Sequence, residues 1–153
     1  MSTIAERLIS ASNAFLIAVL WFDLMFDVQV IRHRNASLLP TDVLDSIARY
    51  YKRVTTDAFP MGRLVAVAML TLFVSLIVRA ASEDATLLID VLSIGATVVA
   101  VGLALARVVR DSVRLGAQTE TQEVQTRLAR GICRDHFICL AGMLVVFVTQ
   151  LVR

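Results

Sequence analysis

The sequence predicts an all-α, polytopic integral membrane protein. The expected form is a four-helix transmembrane bundle with an amphipathic helix in its first cytoplasmic loop. Three observations carry this. Hydrophobic residues make up 58% of the 153-residue chain and charged residues 18%, where soluble domains average roughly 45–50% and about 25%. The apolar residues gather into four stretches, at 8–31, 61–80, 87–109 and 132–152. Each is close to the ~20 residues that a helix rising ~1.5 Å per residue needs to cross ~30 Å of hydrocarbon. Within the stretches the apolar residues cover every helical face. Only Thr71 and Ser75 interrupt 64–78, and only Thr149 and Gln150 are strongly polar in 137–152. A soluble bundle places polar residues along one face of each helix, whereas helices apolar all round belong in lipid. The same composition excludes a disordered chain, a basic nucleic-acid-binding domain and a disulfide-stapled module. Six Gly and two Pro leave no long linker, so 1–153 reads as one domain.

The first span carries an uncharged run, 8–22, followed by Asp23 and Asp27. Ser10, Ser12 and Asn13 near its start suit interhelical hydrogen bonds. Trp21 lies mid-span, away from an interfacial belt, and is expected to pack in the bundle or line a cavity. In the loop 32–60, Leu39-Pro40-Thr41-Asp42 reads as a helix start with Thr41 as N-cap. Val43, Leu44, Ile47, Tyr50, Tyr51 and Val54 follow at helical spacing among Arg49, Lys52 and Arg53. That pattern predicts a basic amphipathic helix lying along the inner leaflet. Pro60 breaks the chain before the second span. The short outer loop 81–86 carries Glu83 and Asp84, and Asp90 is placed to cap the third helix. In the loop 110–131, Gly116 is expected to end the third helix, and Thr119 with Gln122 to form a capping box. The fourth helix would then start near Glu120 and project beyond the membrane.

Charge placement gives an orientation. Twelve of the 15 basic residues fall in or beside the two longer loops, and Arg7, Arg79 and Arg153 fall on the other side. By the positive-inside rule the basic loops are cytoplasmic and both termini outside. The expected setting is a bacterial plasma membrane. The first apolar run is too long, too weakly flanked by basic residues and without a small-residue cleavage site for a cleavable signal peptide.

Ionisable residues inside a membrane are costly and point to function. Asp23 and Asp27 stand at i and i+4, on one face of the first helix. Two carboxylates in low dielectric raise one another's proton affinity, which suits a cation or proton site with His136 as proton shuttle. The alternative is a structural pairing of each carboxylate with Arg63, Arg107 or Arg134. Cys133, His136 and Cys139 recur every three residues on the fourth helix. No cofactor is assigned, although thiol and imidazole are chemically suited to zinc, copper or haem iron. Arg107, Arg110 and Arg114 form one stripe at i, i+3, i+7, and Arg127, Arg130 and Arg134 another. They are expected to contact anionic headgroups of the inner leaflet or a phosphate group.

Three functions follow. The leading one is a subunit of a cation or proton channel or transporter, built as a homo-oligomer or with a membrane-complex partner. The second is a membrane-embedded enzyme or metal- or haem-binding redox protein acting on a lipid-phase substrate. The third is an accessory or assembly subunit of a membrane complex, its charges paired only with each other and with lipid.

Overall fold

The computed structural model describes residues 2–82 and 85–152. Glu83 and Asp84 of the short loop, and Arg153, lie outside the described residues. Helix α1 (Ser2–Asp27) continues after a break at Val28 into the single turn α2 (Gln29–Arg32). Helix α3 (Thr41–Lys52) runs into a π-helical turn, Arg53–Asp57. Helix α4 spans Phe59–Ala80. Helix α5 (Leu87–Leu103) passes through a second π-helical turn, Ala104–Val108, into α6 (Val109–Ala117). Helix α7 is Gln122–Leu151. Among the described residues four continuous helical segments are long and apolar enough to cross a membrane: Ile4–Arg32, Pro60–Ala80, Leu87–Ala117 and Gln122–Leu151. The four predicted spans are all present.

Segment boundaries differ from the sequence reading for local reasons. Gly116 does not end the third segment. Its helix runs to Ala117 and closes at Gln118, which adopts the left-handed region at φ 53°. Gly116 instead marks the closest approach of two helices. A Cβ there would lie 2.8 Å from the backbone nitrogen of Lys52 and 3.0 Å from its Cα, so only glycine lets α6 meet the end of α3. Pro40, not Thr41, occupies the cap position of α3, with φ −55° and ψ 145° and no side-chain cap bond. Helix α7 is capped by Thr121, whose hydroxyl accepts from the Val124 N–H, rather than by a Thr119–Gln122 box.

Helix α1 packs against α4 and α7, and α5 against α7 and α4, which closes a ring of four. Asn13 donates to the Met143 carbonyl at 3.1 Å and ties α1 to α7. Ser93 and Thr149 bond at 2.8 Å between α5 and α7. The core has two parts. One, built from Ile9, Leu16, Leu72, Leu76, Met143 and Val146, fills the half of the ring remote from the two arginine stripes. The other lies at the basic end, where Val43, Leu44, Ile47, Ala48 and Tyr51 of α3 meet Leu115 of α6 and Leu128, Ala129 and Ile132 of α7. The apolar face of α3 is therefore buried against protein, not laid on the leaflet. The projecting ends of α6 and α7 offer an apolar surface at the right height, and each large aliphatic chain buried there contributes about 1.5–3 kcal/mol. The approach to α3 is pinned as well. Leu39 donates its N–H to the Thr126 hydroxyl at 3.1 Å and accepts from the Gln122 amide at 3.0 Å.

Trp21 is 62% exposed, with Phe22 and Met25 beside it. It faces outward, not into the bundle. Leu16, Leu20, Asp23, Leu24 and Asp27 take the inward face of α1, and at ~3.6 residues per turn that turns Trp21 outward.

Candidate functional site

Successive residues of α3 reach the two intramembrane carboxylates. Tyr50 donates its hydroxyl to Asp23 Oδ1 at 2.7 Å, and Tyr51 donates to Asp27 Oδ1 at 2.8 Å. The spacing that stacks Asp23 over Asp27 on α1 presents both acceptors to one edge of α3. From α7, His136 places Nδ1 2.7 Å from Asp27 Oδ2. That nitrogen carries the proton, since a carboxylate only accepts. Asp27 thus has one donor on each oxygen and is wholly buried. His136 Nε2 lies 3.7 Å from Asp23 Oδ2, beyond hydrogen-bond reach. Phe26 stacks on Tyr50 with ring centroids 4.1 Å apart and extends the contact between α1 and α3.

Burial, together with the charges of Asp27 and Asp23, pushes the Tyr51 phenol well above its ordinary value. Burial and then Asp23 do the same to Tyr50. Both hydroxyls therefore remain protonated donors at physiological pH. The carboxylates are held by phenols and an imidazole, and two of the arginines expected as structural partners are engaged elsewhere. Arg107 and Arg134 turn to another residue, the buried Asp135, at 3.2 Å and 2.9 Å.

The site brings together Asp23, Asp27 and His136, but not the cysteines. Cys133 sits in the core under α3. Cys139 sits in the remote core, its thiol donating to the Ala100 carbonyl at 3.4 Å. Among the described residues no group of three or more His, Cys, Asp or Glu side chains has the geometry to hold a metal ion. Residues at i, i+3 and i+6 on one helix drift around its axis, so here only His136 points at the carboxylates.

The arginine stripes are partly engaged within the chain. Arg110 pairs with Asp111, Arg114 with Glu120, and Arg130 donates to the Ala36 carbonyl. Arg127 is exposed. Asp90, expected to be an isolated cap, forms a buried ion pair with Arg79 and also accepts from the Thr86 N–H at 2.9 Å.

Sequence reasoning missed Tyr50, Tyr51, Asp135 and Arg79 as site or pairing residues. The signal for the tyrosines was available: two adjacent hydroxyls on the apolar edge of a helix that follows two membrane-depth carboxylates.

A protein-family profile, that of the SHR3 chaperones, described as "ER membrane protein SH3", matches residues 1–152. No curated protein and no solved structure matches the chain. The match corrects the expected location. The membrane is that of the endoplasmic reticulum in a eukaryotic cell, not a bacterial plasma membrane. Hydropathy and arginine placement report that a bilayer is crossed, and carry no label for which bilayer.

Proposed function

The chain belongs to the SHR3 chaperone family of endoplasmic-reticulum membrane proteins, and on that premise we propose that it is an accessory protein that assists the folding or assembly of other membrane proteins within that bilayer. This is the third of the readings raised by the sequence. The family match is the observation that carries it.

The geometry supports it over ion conduction. The acid cluster is satisfied by Tyr50, Tyr51 and His136. Beyond it, toward the other end of the ring, stand Leu16, Leu72, Leu76, Met143 and Val146 in contact with one another. A conducting path needs polar lining or a wettable constriction across the whole depth. Here the polar groups serve as fastenings between helices. The outward faces of α4, α5 and α7, with Val67, Leu70, Leu88, Val99 and Phe147 exposed, offer apolar surface on which unassembled spans of a client can rest in place of lipid.

The test is synthesis of a polytopic client in endoplasmic-reticulum microsomes that contain or lack the chain. The reading predicts that the chain increases, several-fold, the share of newly made client that remains monodisperse in mild detergent. An unchanged share across a panel of polytopic clients would overturn it.

A further inference from the structure

A groove of about 640 Å³ runs down the outside of the bundle between the end of the first span and α7, within the ~300–1,000 Å³ of ordinary ligand sites. Its two walls read in the same order. On α7 Arg130 and Arg134 come first, then Phe137, Ile138 and Ala141, at i, i+4, i+7, i+8 and i+11. That is one helical stripe, and at ~1.5 Å per residue it covers about 16 Å along the axis. On the other wall Arg34, in the turn after α2, stands above Ile31 and Val30. The first span runs toward the basic end and α7 away from it, so both walls are basic at one end and apolar below. A bond matches their heights: Arg130 donates to the carbonyl of Ala36, two residues beyond Arg34.

Two features of the groove are independent of each other. The first is charge. No acidic residue lines it, and among the described residues neither Arg34 nor Arg130 has an acidic partner. Arg134 gives Nε and Nη2 to Asp135. That carboxylate also takes Arg107, so one negative charge is set against two arginines. A guanidinium carries five N–H donors, and Arg130 and Arg134 spend only part of theirs inside the chain. The second feature is the surface below the arginines. Ile31, Phe137 and Ile138 are each more than 40% exposed there, and Ala141 is exposed beneath them. A free anion has no use for apolar walls, and a bare hydrocarbon has none for three guanidiniums. A phospholipid answers both, since its phosphate accepts from arginine forks and its acyl chain covers the walls. An anionic lipid fits better than a choline lipid, whose quaternary ammonium would add a positive charge beside three others.

We infer that the groove holds one anionic glycerophospholipid, its phosphate among Arg34, Arg130 and Arg134 and one acyl chain laid against Ile31, Ile138 and Ala141. This goes beyond the chaperone reading and does not depend on it. Ala141 is exposed and on the groove wall, so a large residue there fills the path of the acyl chain without crowding the core or changing the charge. Arg49 and Arg53 are exposed arginines of the same end that do not line the groove, and they serve as the charge-matched control.

The test is native mass spectrometry of the purified full chain in mild detergent, titrated with dioleoyl phosphatidic acid and, separately, with dioleoyl phosphatidylcholine. The expected result is one phosphatidic acid per chain, bound about tenfold or more tighter than the choline lipid. Arg34→Gln combined with Arg130→Gln weakens that binding about tenfold or more, the scale set by two basic groups near an anionic headgroup. Ala141→Trp weakens it as well, and Arg49→Gln combined with Arg53→Gln leaves it unchanged. Equal binding of the two lipids overturns the inference. So does an equal loss in the Arg49/Arg53 control, which would mean general attraction to the basic end. Should the Arg34/Arg130 variant not fold, undiminished binding in Ala141→Trp overturns it instead. Displacement of the lipid by soluble glycerol phosphate at equal concentration overturns the assignment to a lipid in favour of a free phosphate. A dimer that excludes the lipid and is lost in Ala141→Trp overturns it in favour of a second copy of the chain.

Discussion

Asp27→Ala is expected to destabilise the bundle by about 3–5 kcal/mol, the cost of removing one member of a buried charged pair. That is a large part of the roughly 5–15 kcal/mol that holds a typical domain together. The carboxylate is fully buried and receives two donors, the Tyr51 hydroxyl and the His136 Nδ1–H. Alanine removes the acceptor they share and leaves only the longer 3.4 Å contact between the Tyr51 hydroxyl and His136 Nδ1. The loss also falls where three helices meet, so α3 should detach from the basic end before the ring itself opens. Thermal unfolding in mild detergent, followed by circular dichroism, gives the overall loss. Proteolysis after Arg49, Lys52 and Arg53 gives the release of α3. Asp27→Asn keeps an acceptor of the same shape and should lose less. Tyr51→Phe removes one bond and should lose about 1–3 kcal/mol. An Asp27→Ala protein as stable as the parent, with α3 still protected, would show that the cluster does not hold the loop helix.

Asp90→Ala is expected to be as damaging, at the opposite end of the bundle. Arg79 is 1% exposed and pairs with Asp90. Among the described residues its Nε and Nη1 atoms are buried without a hydrogen-bond partner, and Asp90 supplies a counter-charge. Removing the carboxylate takes that counter-charge from a buried guanidinium, again about 3–5 kcal/mol. The sharper readout is a double-mutant cycle. Arg79→Leu combined with Asp90→Leu removes both charges and both desolvation costs, and should recover most of the stability lost in either single variant. Strictly additive losses in the double variant would mean that the pair is not energetically coupled.

Both predictions concern charges whose positions the sequence exposed and whose partners it did not. The number of spans was legible because lipid demands apolar residues on every face over a fixed length, and 64–78 and 137–152 satisfy that demand with few exceptions. Asp23 and Asp27 stood out for the converse reason, as charges where lipid penalises them. Their partners were harder to find. Tyr50 and Tyr51 read as ordinary members of an apolar stripe, since a phenol is both a hydrophobic body and a donor. Which of its two natures is used depends on the height at which α3 docks. That height follows from Gly116, read as a helix stop when its actual role is to admit the Lys52 backbone. Asp135 was hidden beside Arg134, and only folding brings Arg107 to it as well. Trp21 was misplaced because mid-span position says nothing of which face a residue occupies, whereas its spacing from Asp23 and Leu24 does.

The account as a whole rests on the acid–tyrosine–histidine cluster being a fastening within a closed bundle and not part of an ion path. Proton uptake by liposomes carrying the folded chain, followed with an internal pH-sensitive dye under an imposed gradient, tests this most directly. The account predicts a rate equal to that of protein-free liposomes. Uptake that depends on the chain and disappears in Asp23→Asn would contradict it.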